Sequence, residues 1–137
     1  AIDRGFVEGP AVRKALKATG VAVVASHCLA GGLLTGKYNR PGATGRHGPS
    51  RIDKLRERGV LDQIEGWIGL AGEYGASVAQ LCLAYSLSRS AVASACFGAK
   101  STAQLAEDLG TLAVAERLQP AITRLARETG PVADHRG

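Results

Sequence analysis

The sequence predicts an α/β fold, and three observations carry that prediction. Two short apolar runs, "VAVVAS" at 21–26 and "AVASACF" at 91–97, are bounded by glycine and turn residues and have the composition of strands. Segments with the apolar period of a helix stand before, between and after them. Each run also opens into glycine and then polar residues leading to helical turns, the layout of a strand-to-helix junction. Neither run alternates apolar with polar residues, so both read as strands buried on two faces in a parallel sheet. Two strands make a poor sheet, and such strands need parallel neighbours that these residues do not contain.

The elements follow in order. "GPAVRKALKATG" (9–20) sets Val12, Ala15, Leu16 and Thr19 at helical spacing, with Pro10 near the start and Gly20 as the stop. After the first strand, "HCLAGGLLTGKY" (27–38) holds three glycines in twelve residues. Glycine gives up the most backbone freedom on folding, so the cluster implies close approach of something to the main chain. Residues 39–50, "NRPGATGRHGPS", have no apolar period and read as a long loop, functional or mobile. Ser50 and Asp53 have the spacing of a capping pair for a short charged helix that ends at Gly59. A helix over 60–74 aligns Leu61, Ile64, Ile68 and Ala71, with Trp67 beside the stripe as a core residue. Ser77 and Gln80 form a capping box for the next helix, which turns Val78, Leu81, Cys82 and Tyr85 inward. Beyond the second strand, Ser101 and Gln104 repeat the capping spacing, and Leu105, Leu109 and Leu112 run along a helix. A last helix is expected from near Pro120 to Glu128, with "TGPVADHRG" (129–137) frayed.

Bulk properties narrow the function. A chain of 137 residues suits one domain with a real core, and 45% hydrophobic against 21% charged residues argues against disorder. No apolar run approaches the roughly 18 residues of a membrane span. The opening "AIDRGF" carries no signal-peptide pattern and reads like the middle of a longer chain, so a processed product or fragment is expected. Cys28, Cys82 and Cys96 are odd in number and lie in or beside apolar segments, which suits reduced thiols and a cytoplasmic location. His27 with Cys28 is only an adjacent pair, and no metal-ligand spacing is present.

The net charge of +5 is local: Lys37 to Arg58 holds seven basic and two acidic residues, and the rest of the chain balances. A local surplus suits a phosphate-bearing small ligand, whereas an aromatic content of 4% leaves few stacking platforms for nucleic acid. Helix N-terminal amides at the second junction, with Lys100 beside them, could hold an anion. Gln104 and Glu107 lie within one turn, where one planar ligand could meet both. There is no G-x-x-x-x-G-K-[ST] loop and no Rossmann glycine pattern.

Three stretches carry a resemblance. "LAGGLLTGKY" (29–38) resembles the segment after the seventh barrel strand of aldo-keto reductases, S-P-L-A-x-G-x-L-T-G-K-Y. "FGAKSTAQLAEDLG" (97–110) resembles their eighth-strand segment, P-G-A-x-x-x-x-Q-L-x-E-N. "IGLAGEYGASVAQLCLAYSLSRSAVASA" (68–95) is similar to the region between, A-x-E-x-G-x-S-x-A-Q-L-A-L-x-W-x-L. The matches keep the family's order and spacing over roughly 20–110, in the style of the branch that includes potassium-channel β-subunits and their bacterial relatives.

The resemblance implies the C-terminal part of a (β/α)8 TIM barrel: the last two strands with their helices, incomplete on its own, with 1–137 as one segment. It implies NADP(H) as cofactor and hydride transfer to an aldehyde or ketone as the reaction. By position, His27, Cys28, Leu29, Ala30, Gly31 and Gly32 would line the nicotinamide side and the pyrophosphate path. Lys37 and Arg46 would reach phosphates, and Gly98 and Lys100 would sit by the adenosine 2′-phosphate. Gln104, Glu107 and Asp108 would surround the ribose and adenine. His27-Cys28 replaces the family's Ser-Pro, Phe97 replaces a proline, and Asp108 replaces an asparagine. The family's catalytic Asp, Tyr, Lys and His have no matching positions here, so the expected partner is the N-terminal half of a barrel. A nucleotide-binding or regulatory remnant without chemistry is the alternative, and a basic nucleic-acid module a more distant one.

Overall fold

A computed structural model describes residues 8–128. Helix α1 spans Pro10–Thr19 and strand β1 Val23–Ala25; two 3₁₀ segments follow, Ala30–Thr35 and Lys37–Asn39. Then come α2 (Pro49–Glu57), α3 (Val60–Glu73), α4 (Val78–Leu87), β2 (Val92–Ala95), α5 (Thr102–Leu109), α6 (Thr111–Val114) and α7 (Gln119–Glu128). The tail from 129 lies outside the described residues.

The core is helical, and α4 is its centre. Its capping box closes as the spacing predicts: Ser77 Oγ accepts the Gln80 N–H at 3.2 Å, and Gln80 Oε1 accepts the Ser77 N–H at 3.1 Å. Val78, Ala79 and every residue from Leu81 to Tyr85 are buried, so α4 is enclosed almost all round. Around it pack α3, β2, α6, α7 and the first 3₁₀ segment. Helix α3 presents Leu61, Ile64, Trp67, Leu70 and Ala71 to this core, and Trp67 is a packing residue. Glu8 ties the start of the described chain to α4 by accepting the Tyr85 hydroxyl at 2.8 Å.

The two strands pair in parallel, Val23 opposite Val92 and Ala25 opposite Ala95, with an irregularity after Val23. They are shorter than the apolar runs suggested, and they are not buried on two faces. Val24 is 62% exposed, Val21 beside it 59%, and Ala93 and Ser94 face solvent. The cause is the small sheet itself: with two strands among the described residues, only the sides against β1, β2 and α4 are covered.

Three other expectations change. Ser50 does not cap α2; Pro49 takes the first helical position, so Gly48 is the N-cap and Ser50 falls inside the helix. Asp53 instead pairs with Arg56 at 2.9 Å. The leucine-bearing helix breaks at Gly110 into α5 and α6, and Leu105, Leu109 and Leu112 are exposed. Cys28 and Cys82 are buried free thiols as expected of small hydrophobes, and burial pushes Cys82 up to about 12, but Cys96 is exposed.

Candidate functional site

Parallel pairing brings the two junctions to one edge of the sheet. The Ala25 carbonyl at the end of β1 accepts the Cys96 N–H at 2.8 Å, and Cys28 Sγ lies 3.4 Å from the same oxygen. Ser26-His27 and Phe97-Gly98 therefore leave the sheet side by side, at the carboxyl ends of their strands, where parallel sheets present ligand-binding loops.

The first junction is a tight, left-handed coil. His27 (φ 62°) and Ala30 (φ 48°) adopt the left-handed region without being glycine, at roughly 1–2 kcal/mol each. Gly31 and Gly32 continue it at 65° and 88°. The Leu29 carbonyl accepts from both Gly32 N–H (2.9 Å) and Leu34 N–H (3.2 Å), while Leu33 and Leu34 plug the coil into the core. Cys28 and Leu29 point their side chains into that core too, so at these positions only backbone is left for a ligand. His27 is exposed.

What approaches the glycines is the chain itself. A Cβ on Gly31 would lie 3.1 Å from Arg46 Cδ and from His47 Nε2, and one on Gly32 would lie 3.1 Å from Lys37 Cε. A Cβ on Gly45 would overlap the Lys37 ammonium, whose Nζ sits 4.8 Å from the centroid of the Tyr38 ring. Loop 40–48 thus folds back over the glycine coil and lays Arg46 on Gly31, while Lys37 lies between Gly32 and Gly45. His47 Nε2 reaches the Ala30 carbonyl at 2.8 Å, and the His47 backbone N–H donates to the Tyr38 hydroxyl at 3.1 Å. Sequence reasoning missed Tyr38, Gly45 and His47; their only signal was a glycine and a histidine inside a long loop.

The second junction is open, with Lys100 beside the start of the helix. Ser101 Oγ caps α5 by accepting the Gln104 N–H at 3.2 Å, and Gln104 Oε1 accepts the Lys100 N–H at 2.8 Å. This is a capping box displaced by one residue, and it occupies two of the amides that an anion could have used. Gly98, Lys100, Gln104 and Glu107 are all exposed. The Glu107 carbonyl accepts from Gln80 Nε2 at 2.9 Å, which ties this helix to the central one.

Asp108 is placed differently: it is 7% exposed, on the inner side of α5. Burial, then the neighbouring Glu107, raises its carboxyl above the ordinary 3.8. A raised carboxyl disfavours folding once it ionises, so the native state binds the proton more tightly and stability falls as pH climbs from 3.8 through the raised value. Asp108→Asn is accordingly expected to stabilise the chain at pH 7, with the gain shrinking as pH is lowered through that window. Urea midpoints of the two proteins across pH check this.

Among the described residues no three of His, Cys, Asp and Glu converge on a metal position, and no helix is long and apolar enough to cross a membrane. A family model described as the aldo/keto reductase family matches residues 7–121. The chain is also similar to two proteins described as probable voltage-gated potassium channel subunit beta. With that of Arabidopsis thaliana it shares 29% identity over 109 residues, 75% of this chain and 33% of the relative. With that of Oryza sativa subsp. japonica it shares 35% over 101 residues, 69% and 30% respectively. The chain thus spans about a third of the length of these relatives.

Proposed function

The chain belongs to the aldo/keto reductase family, and from that premise we propose that it is the NADP(H)-binding portion of an aldehyde or ketone reductase, built as the last two β/α units of a TIM barrel. The observation that carries this reading is the shared edge: the parallel pair sends a glycine coil, against which Lys37 and Arg46 lie, and a helix start bearing Lys100, to the same end of the sheet. A dinucleotide with a pyrophosphate and a 2′-phosphate needs cations at two separated places; the charge surplus from Lys37 to Arg58 supports the first, and Lys100 is the candidate for the second.

The residues present fit such a group. Gly98 has an ordinary φ and nothing within 4 Å of where a Cβ would stand, so no packing within the described chain demands a glycine there. Lys37 and Arg46 are assigned to the pyrophosphate, Gly98 and Lys100 to the 2′-phosphate, and Gln104 and Glu107 to the ribose and adenine. The coil from His27 to Gly32 borders the nicotinamide side. Asp108, expected beside the adenine, is buried on the inner side of α5, and no direct ligand contact is assigned to it. When bound, the cofactor supplies a hydride to a carbonyl carbon.

Proton donation is assigned to segments outside this chain. The Tyr38 hydroxyl is engaged by His47 and the Tyr85 hydroxyl by Glu8, and both rings are buried. The exposed Val21, Val24, Leu105, Leu109 and Leu112 support a partner made of further β/α units that would cover them. Binding without turnover by the chain alone is the expected state, and it is also the behaviour of a regulatory nucleotide-binding segment.

Fluorescence titration with NADPH tests the reading. Saturable enhancement of nicotinamide emission is expected, with no tight, salt-sensitive binding of RNA. A chain that leaves NADPH emission unchanged while binding RNA steeply with falling salt overturns it.

A further inference from the structure

The basic segment holds more charge than a pyrophosphate uses. Of the seven cations from Lys37 to Arg58, Lys37 and Arg46 lie on the glycine coil, and Arg56 pairs with Asp53 at 2.9 Å. Arg40, Arg51, Lys54 and Arg58 are left over, all of them exposed. The last three belong to α2 and its C-cap. At 3.6 residues per turn they fall within about 60° of arc and span about 10 Å of helix. Ile52 is buried and Leu55 packs half-buried against the core, so α2 docks by that side and the cationic stripe stands beside it in solvent. The acids of α2, Asp53 and Glu57, lie on the next side round. Among the described residues no hydrogen bond or ion pair reaches the side chains of Arg51, Lys54 and Arg58.

Arg51 also stands where a cation works against its own helix. It is the third residue of α2, whose first turn holds no acid and whose Gly48 N-cap makes no side-chain bond. The positive end of the helix dipole disfavours it there. Lys54 at i+3, and Arg58 four residues beyond Lys54, add like charge along the same face. A local rule broken without an internal partner marks a residue placed for something outside the fold. We propose that this face of α2 is a docking site for an acidic helix of a partner protein, with carboxylates at i, i+3 or i+4, and i+7. That spacing lines three carboxylates along one helical face over the same length as the three cations. Charge complementarity selects an acidic partner, and the width of the stripe selects a helix. A lipid surface or a nucleic-acid strand suits it less. The helix exposes no aromatic ring on which bases could stack and no large apolar side chain to enter a bilayer, and Glu57 beside Lys54 repels a broad array of phosphates.

The docking face is independent of the cofactor reading, and the test keeps the two apart. The 137-residue chain is titrated with two labelled synthetic peptides and followed by fluorescence anisotropy. One is a helical peptide with glutamates at i, i+4 and i+7; the other has the same composition with the glutamates spread round the helix. The first is expected to bind more tightly, and to weaken as salt rises. Arg51→Gln, Lys54→Gln and Arg58→Gln should each weaken it by about 1.5-fold to fivefold, the range for one exposed ion pair, while Arg56→Gln leaves it unchanged. Arg51→Glu should weaken the peptide further than Arg51→Gln and yet raise the urea midpoint, because a carboxylate suits the first turn. Equal affinity for the two peptides, or for parent and the three stripe variants, overturns the proposal. A urea midpoint lowered by Arg51→Glu does so too, since Arg51 would then be serving the fold. Tighter binding of phosphatidylserine vesicles or of single-stranded RNA through the same three residues also overturns it. NADPH binding should be the same in all these variants, and a fall in step with the peptide would give the stripe to the cofactor instead. If no protein binds NADPH while the peptides are still told apart, the cofactor reading fails and the docking face stands.

Discussion

Replacing Leu34 by alanine is expected to lower the unfolding free energy by about 2–5 kcal/mol, the range for a fully buried leucine cut back to a methyl group. Leu34 has no exposed surface, and it stands inside the coil rather than on a core helix. Its side chain is what pins the left-handed run from Ala30 to Gly32 against the helical core. Losing it removes apolar burial and leaves a cavity under a backbone that is already costly at Ala30. A domain of this size has about 5–15 kcal/mol to lose, so the variant should unfold at a much lower urea concentration. The measurement is a urea titration followed by far-ultraviolet circular dichroism. A midpoint close to the parent's would mean that the coil is not anchored where the structure puts it.

That coil also shows how far the sequence could be read. The glycine cluster implied close approach to the main chain, and close approach is what the structure has, but the visitors are Lys37, Arg46 and His47 of the same chain. A loop's return path is set by non-local contacts, here His47 to Ala30 across 17 positions, and no local pattern encodes it. Helices were legible because their signals are local. Ser77 with Gln80 and Ser101 with Gln104 cap where their spacing said they would. Ser50 and Asp53 have the same spacing and fail, since Pro49 claims the first turn and moves the cap to Gly48.

The strands expose a different limit. Their type and parallel orientation follow from composition, whereas burial depends on neighbours that composition cannot supply. Val24 reads as a core residue and stands 62% exposed, and Leu109 does the same on α5. Period identifies the face of an element that should be covered, not what covers it. The family was legible because three stretches kept both order and spacing, and the matching family model spans all the residues that carried the resemblance.

Lys100→Ala is expected to weaken NADPH binding by about 10–100-fold, the loss of one charge-assisted contact of roughly 1.5–3 kcal/mol, and to leave NADH binding unchanged. Lys100 is exposed and takes part in the fold through its backbone, whose N–H donates to Gln104 Oε1. Alanine keeps that donor, so the α5 cap and the urea midpoint should both be preserved. The two cofactors differ only in the 2′-phosphate, which makes their ratio a reading of that contact and cancels any general change in the site. An equal loss for both would place Lys100 on the pyrophosphate or on the structure of the junction. No loss for either would remove it from the site, and the cationic role at this edge would then fall to Lys37 and Arg46, which already lie against the first junction's glycines.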